Sequence, residues 1–285
     1  GILNPTDQTS VYVYDLKKQF TIADINIDEK HMSASLIKLY VMAAVYDKLE
    51  KIEISPKRNR SIKEDLERMI QRSNNQSTDR LINFVGGPAA GQRYINSTGL
   101  FSATECVEYI GKLNGRTYRN KTSAHDLNIF LNQLYNGKIV SKAASQKMLE
   151  IMLGYRTSIF DAIEHKGVKR VAGKTGHVAG LTGESAIIYY KNHAGQLRLY
   201  TLTAIIENDE QKNTSARTKA AWTNKTNKIL RRISDLVTSY YQRDLPDVHR
   251  DDATFEQRVR DYEQHYINLG VGNENSSIRV RGRNY

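Results

Sequence analysis

Cysteine is almost missing from this chain. Cys106 is the only one, which excludes an internal disulfide framework and any cysteine-rich zinc site. The seven histidines are scattered, with no His-x-His or His-Glu-x-x-His spacing, so no metal site is expected. No apolar run is long enough to span a bilayer. The start, Gly-Ile-Leu-Asn-Pro, lacks the basic and apolar regions of a signal peptide, leaving an intracellular protein or a trimmed mature form. No zinc finger or other nucleic-acid motif is found, and no nucleic-acid partner is expected. There is no internal repeat.

What is present describes an ordinary globular protein of 285 residues, 39% hydrophobic and 26% charged, enough for one large domain or two small ones. The formal net charge is +11, a field that attracts polyanions such as anionic wall polymers or lipid, although a plain basic surface accounts for it equally well.

One stretch stands apart. From Ser35 to about Leu49 the chain reads as a helix apolar all round, which marks a buried helix. Lys38 is out of place in it. Three residues after Ser35, it shares that serine's helix face. Burial favours a neutral amine, which can take a hydroxyl proton, so Ser-x-x-Lys is a candidate nucleophile and base.

Around this stretch the expected elements alternate. Val11–Tyr14 and Phe20–Ala23 read as a β-hairpin. A helix over Ile62–Gln71 is expected to open at Ser61, followed by a polar break at Ser73-Asn-Asn75 and a short helix through Arg80–Phe84. Gly86-Gly87-Pro88 ends that helix and starts another, and residues 98–121 read as a long loop region. Helices are expected over Ser123–Tyr135, Ser141–Leu153 and Ser158–Glu164. Val168–Lys174, Ser185–Tyr190 and Leu199–Ile206 form an antiparallel meander, closed by a helix over Thr214–Tyr241. Strands at both ends with helices between them predict one α+β body over residues 1–242 whose first and last strands share a sheet. Residues 243–285 form a tail. Phe255, Val259, Tyr262 and Tyr266 make an apolar helical stripe in it, and Ile278–Arg283 alternates like a strand. The stripe needs a partner surface, on this body or on a second copy.

Two more triplets give the serine–lysine pair its meaning. Ser35-x-x-Lys38, Ser73-x-Asn75 and Lys174-Thr175-Gly176, in that order, resemble the signature of class A β-lactamases and penicillin-binding proteins. Ser73–Pro88 is similar to the segment of that family that runs into Ile-Gly-Gly-Pro, and Lys121–Leu127 to the start of its next helix. The resemblance covers roughly residues 10–242. It implies a β-lactamase-like fold, a helix-flanked antiparallel sheet plus a helical lobe with a cleft between them. It also implies residue roles. Ser35 would be the acylated nucleophile and Lys38 the group that holds its proton. Ser73 would relay a proton to the leaving nitrogen, with Lys174 biasing it. Asn75 would bond a substrate amide, Lys174 and Thr175 a carboxylate, and Gly176 would leave room for substrate backbone. The backbone N–H groups of Ser35 and His177 would form the oxyanion hole. No cofactor is implied. The implied partners are a β-lactam or a peptidoglycan stem peptide, and the implied location is outside the cytoplasm or at the cell surface, with a leader absent from this sequence.

The family's deacylating glutamate sits in a Glu-x-x-Leu-Asn context. Here Glu108 falls near its place, but Leu113-Asn114 lies five residues beyond it, and Asp79 stands where an asparagine usually holds that glutamate. Two carboxylates there would repel or share a proton, which does not suit a base for water. The expectation is a serine hydrolase that acylates and deacylates poorly. A true β-lactamase and a catalytically idle wall-binding protein are the alternatives.

Overall fold

The protein is described here by a computed structural model that covers residues 3–111, 119–155, 158–160, 168–191 and 195–242. The expected helical stripe and strand beyond residue 242 lie outside the described residues.

Strands β1 (Gln8–Asp15) and β2 (Phe20–Ile25) form the expected hairpin. Its turn is set by Asp15, whose Oδ1 accepts the N–H groups of Lys17 and Lys18 at 2.9 and 2.7 Å. Such side-chain turns are a preferred use of aspartate. β1 then pairs antiparallel with β7 (Leu197–Glu207), so the first and last strands do share a sheet. With β5 (Val168–Val178) and β6 (Leu181–Lys191) the five-stranded order is β2-β1-β7-β6-β5. A separate pair joins β3 (His31–Met32) to β4 (Lys121–Thr122).

One face of the sheet carries α7 (Ala216–Gln242), which packs Trp222, Leu230 and Tyr241 against Val13, Ile188, Tyr200 and Leu202. The other face supports the helical lobe. α1 (Lys38–Lys51) runs through its middle, and every residue from Lys38 to Tyr46 is buried. Around it lie α2 (Pro56–Gln71), α3 (Asn75–Val85), α4 (Pro88–Ser97), α5 (Ala124–Tyr135) and α6 (Lys142–Leu153). No helix among the described residues is long and apolar enough to cross a membrane.

The helix ends follow from short polar residues. Asn74, Ser123 and Ser141 accept backbone N–H groups at the starts of α3, α5 and α6. Gly86 and Gly87, at φ of +120° and +91°, make the reversal from α3 into Pro88. Two expectations change. Ser61 does not open α2; the helix begins at Pro56, capped by Ser55, because proline at the first position and serine before it outweigh the run Lys57-Arg58-Asn59-Arg60. Ser158–Phe160 is not helical, and the rest of the helix expected to Glu164 lies outside the described residues.

Candidate active site

The nucleophile candidate does not lie within α1. Ser35 sits on a single 3-10 turn, Ala34–Ile37, that leads into it. Ala34 takes a left-handed backbone, φ +43°, an arrangement that costs an L-residue about 1–2 kcal/mol unless its surroundings impose it. The surroundings do. The N–H of Ser33 donates to Asn120 O at 2.8 Å, and β5 packs directly on the turn. A Cβ added to Gly176 would stand 2.9 Å from Leu36 Cγ and 3.1 Å from Ser33 O, so the missing side chain is space used by this turn. The room expected at Gly176 for a substrate backbone is, on that side, already filled by the protein.

Ser35, Lys38, Ser73 and Asn75 are brought together by direct bonds. Lys38, fully buried at the first position of α1, donates from Nζ to Ser73 O at 2.8 Å, to Asn75 Oδ1 at 2.8 Å and to Ser73 Oγ at 3.1 Å. Ser73 Oγ in turn donates to Ser35 Oγ at 3.0 Å. Ser73 occupies the break between α2 and α3 with φ +52°, which turns both its carbonyl and its hydroxyl toward the lysine. Burial is the main cause that lowers the Lys38 pKa, to about 6; the charge of Lys174 adds to it and Asp79 opposes it.

Lys174 lies fully buried on β5 and joins the group through that electrostatic effect on Lys38. Its Nζ donates to Thr175 O at 2.9 Å, and burial lowers its pKa to about 7 against the pull of Glu184. The two amines thus differ in the right order: the one beside the serines loses its proton first. Thr175 is buried, and its Oγ1 accepts the Tyr155 hydroxyl at 2.5 Å, which leaves its own proton free to be given elsewhere. His177 is exposed, and its imidazole Nε2 shares a hydrogen bond with Asn227 Oδ1 of α7 at 3.2 Å.

Glu108 is not held by Asp79. Its carboxylate accepts the Arg119 backbone N–H at 2.6 Å and the Arg119 Nε–H at 3.0 Å. Asp79 is taken by the N–H groups of Ile110 at 2.8 Å and Gly111 at 3.1 Å. Each carboxylate therefore has its own donors, and the expected repulsion or shared proton between them is replaced by two separate caps on one loop. Among the described residues no cluster of His, Cys, Asp or Glu is placed to hold a metal ion.

The buried serine–lysine–serine chain, the asparagine beside it and the Lys-Thr-Gly strand packed on the nucleophile's turn agree with a match to the model of the β-lactamase enzyme family over residues 2–65 and 52–241. The chain belongs to the β-lactamase enzyme family. Solved members share the fold. The structure of PBP-A described as an acyl-enzyme complex with penicillin G superposes with a TM-score of 0.65 at 19% identity, covering 84% of this chain and 91% of that one. A representative class A β-lactamase from Bacteroides cellulosilyticus DSM 14838 gives 0.62 at 21% identity, covering 84% and 93%. A β-lactamase from Chitinophaga pinensis DSM 2588 gives 0.59 at 20% identity, covering 77% and 94%. A search of curated proteins finds no match.

Two site residues escape the family triplets. Glu184, paired across the sheet with Thr175, is fully buried and accepts from Ser158 Oγ at 2.6 Å and from the N–H groups of Ile159 and Phe160 at 2.6 and 3.1 Å. A lone glutamate inside the run Leu181–Tyr190 was the sequence signal for it. Tyr155, whose ring centroid lies 5.4 Å from Lys174 Nζ, carried no such signal.

Proposed function

We propose that this β-lactamase-family protein is a penicillin-recognising serine hydrolase that forms an acyl-enzyme at Ser35 with D-alanyl-D-alanine-type peptides and β-lactams, and that it deacylates slowly. The observation that carries the reading is the chain Lys38 Nζ–Ser73 Oγ–Ser35 Oγ, at 3.1 and 3.0 Å. With Lys38 neutral, its lone pair can face Ser73, and the two hydroxyls reverse direction: Ser35 donates to Ser73 and Ser73 to the amine. Ser35 Oγ then attacks the substrate carbonyl, forming the C–O bond as its proton passes through Ser73 to Lys38. When the C–N bond breaks, Ser73 hands a proton to the leaving nitrogen and takes one back from Lys38, which returns to its neutral form. Lys174, charged, and the Thr175 hydroxyl, oriented by Tyr155, bind the substrate carboxylate. Asn75 holds the acyl-side amide. The 3-10 turn offers the Ser35 N–H and β5 the His177 N–H to the oxyanion.

Slow deacylation is supported by Glu108. Both of its oxygens accept from Arg119, so it lacks a free lone pair aimed at a water on the acyl group. PBP-A, a similar fold, has been solved as a penicillin G acyl-enzyme, and its title is the nearest precedent for a lasting adduct. Because stem peptides and β-lactams lie outside the cytoplasm, we place the protein there. The test is turnover of a chromogenic cephalosporin. One stoichiometric burst followed by a slow rate, unchanged in Glu108→Gln, supports the peptidase-like reading. Rapid steady turnover lost in Glu108→Gln makes the protein a β-lactamase.

A further inference from the structure

A second serine stands in a second buried polar chain, far in sequence from the triplets. Ser10 on β1, His31 on β3 and Glu207 at the end of β7 are fully or almost fully buried. Ser10 Oγ lies 2.6 Å from Asn26 O and 2.7 Å from His31 Nε2. The other ring nitrogen, Nδ1, lies 3.1 Å from Glu207 Oε2, and the same oxygen accepts the Met32 N–H at 3.0 Å. Lys212 Nζ stands 4.0 Å from the second oxygen, Oε1. Despite its order of serine, imidazole and carboxylate, this chain cannot be a second nucleophile, because Ser10 is fully enclosed.

Its hydrogens can be assigned by elimination. A carbonyl oxygen has no hydrogen to give, so the Ser10 hydroxyl donates to Asn26 O. Ser10 Oγ can then only accept from His31, and Nε2 must carry hydrogen. A bare Nδ1 lone pair facing a carboxylate in a dry interior would repel it, so a proton lies between Nδ1 and Oε2 as well. The imidazole thus ties three strands together with every polar atom of the chain satisfied.

The placement gives the chain a use. His31 is four residues before Ser35, and the Met32 N–H is held by the carboxylate oxygen that faces His31. Ser33 is held by Asn120 O. Ala34, left-handed at φ +43°, follows at once. A strained residue keeps its conformation only where both sides are fixed. Gly176 and Leu36 fix one side; β3 fixes the other. Released, Ala34 would relax and carry Ser35 Oγ away from Ser73.

We propose that His31 is a positioning residue for the Ser35 nucleophile, clamped by a proton shared with Glu207 and braced by Ser10, so that the clamp sets the acylation rate. The proposal rests on the reading of Ser35 as the acylated group. On the full chain without ligand, proton and nitrogen spectra of the imidazoles should show an exchange-protected, low-field proton assigned to His31, lost in Glu207→Gln and in His31→Phe and kept in Ser10→Ala. With benzylpenicillin as the probe, the second-order acylation rate should fall about tenfold or more in Glu207→Gln and His31→Phe, and less in Ser10→Ala, because a displacement of ångström scale at a nucleophile carries a penalty of that order. Ser10→Ala, the mildest change, serves if the others fail to fold; its rate should drop while its melting temperature moves little. Wild-type acylation with equal rates in the folded variants overturns the positioning role and leaves the acyl-enzyme reading standing. The same holds if no shared proton is found. A wild type that never acylates refutes the acyl-enzyme reading instead, while the proton signal is still read on the free protein.

Discussion

Acylation should have a narrow, bell-shaped dependence on pH, because it needs two neighbouring lysines in opposite states. Lys38 must be neutral to take the Ser35 proton, and Lys174 must be charged to hold a carboxylate. Burial lowers the first to about 6 and the second to about 7. The rate constant for acylation by free enzyme and free substrate reports these groups in the free enzyme. Below pH 6 Lys38 takes up a proton and the rate falls; above pH 7 Lys174 loses one and it falls again. Midway, half a unit from each value, about 60% of molecules hold the productive pair. At about pH 8.5 only about 3% of Lys174 is charged, so the rate should be about twentyfold below its maximum. The lysines feel each other, so the limbs belong to the pair. The assay is stopped-flow labelling with a fluorescent penicillin from about pH 4.5 to about 9.5, with the folded fraction checked at each point. A profile that is flat across this range, or that only rises with a midpoint near the ordinary lysine range, would refute the assignment of a neutral Lys38 beside a charged Lys174.

Glu184→Gln removes the carboxylate that raises the Lys174 pKa, so the alkaline limb of the same profile should move to lower pH and the maximum rate should drop; an unmoved limb would show that Glu184 acts only on Ser158–Phe160. Gly176→Ala puts a methyl 2.9 Å from Leu36 Cγ and 3.1 Å from Ser33 O, so it should lower stability by about 1–3 kcal/mol in denaturant titration and slow acylation together, and a variant with unaltered stability would contradict the close packing of β5 on the nucleophile's turn.

What the sequence made legible is what short stretches decide. The buried helix, its misplaced lysine, the serine–asparagine break and the Lys-Thr-Gly strand are each set within a few residues, and their order carried the family. The hairpin and the meander followed from alternation, and most helices from a capping serine, asparagine or proline. The start of α2 was misplaced because Ser61 and Ser55 are both plausible caps, and only Pro56 separates them. The 3-10 turn under Ser35 was hidden because it depends on Gly176 and Asn120, far away in the chain. The same holds for Glu108, whose orientation is decided by Arg119, and for Tyr155 and Glu184, whose contacts cross from helix end to strand and from strand to strand. Side-chain partners across such distances leave little trace in spacing.

The most direct measurement is the intact mass of the protein after incubation with benzylpenicillin, beside Ser35→Ala, followed over time. A lasting adduct of one acyl group, mapped to Ser35 and absent from the variant, is the result expected of a nucleophile that a buried lysine primes and that Glu108 does not release. A wild type that stays at its unmodified mass, or an adduct equally present in Ser35→Ala, would contradict it.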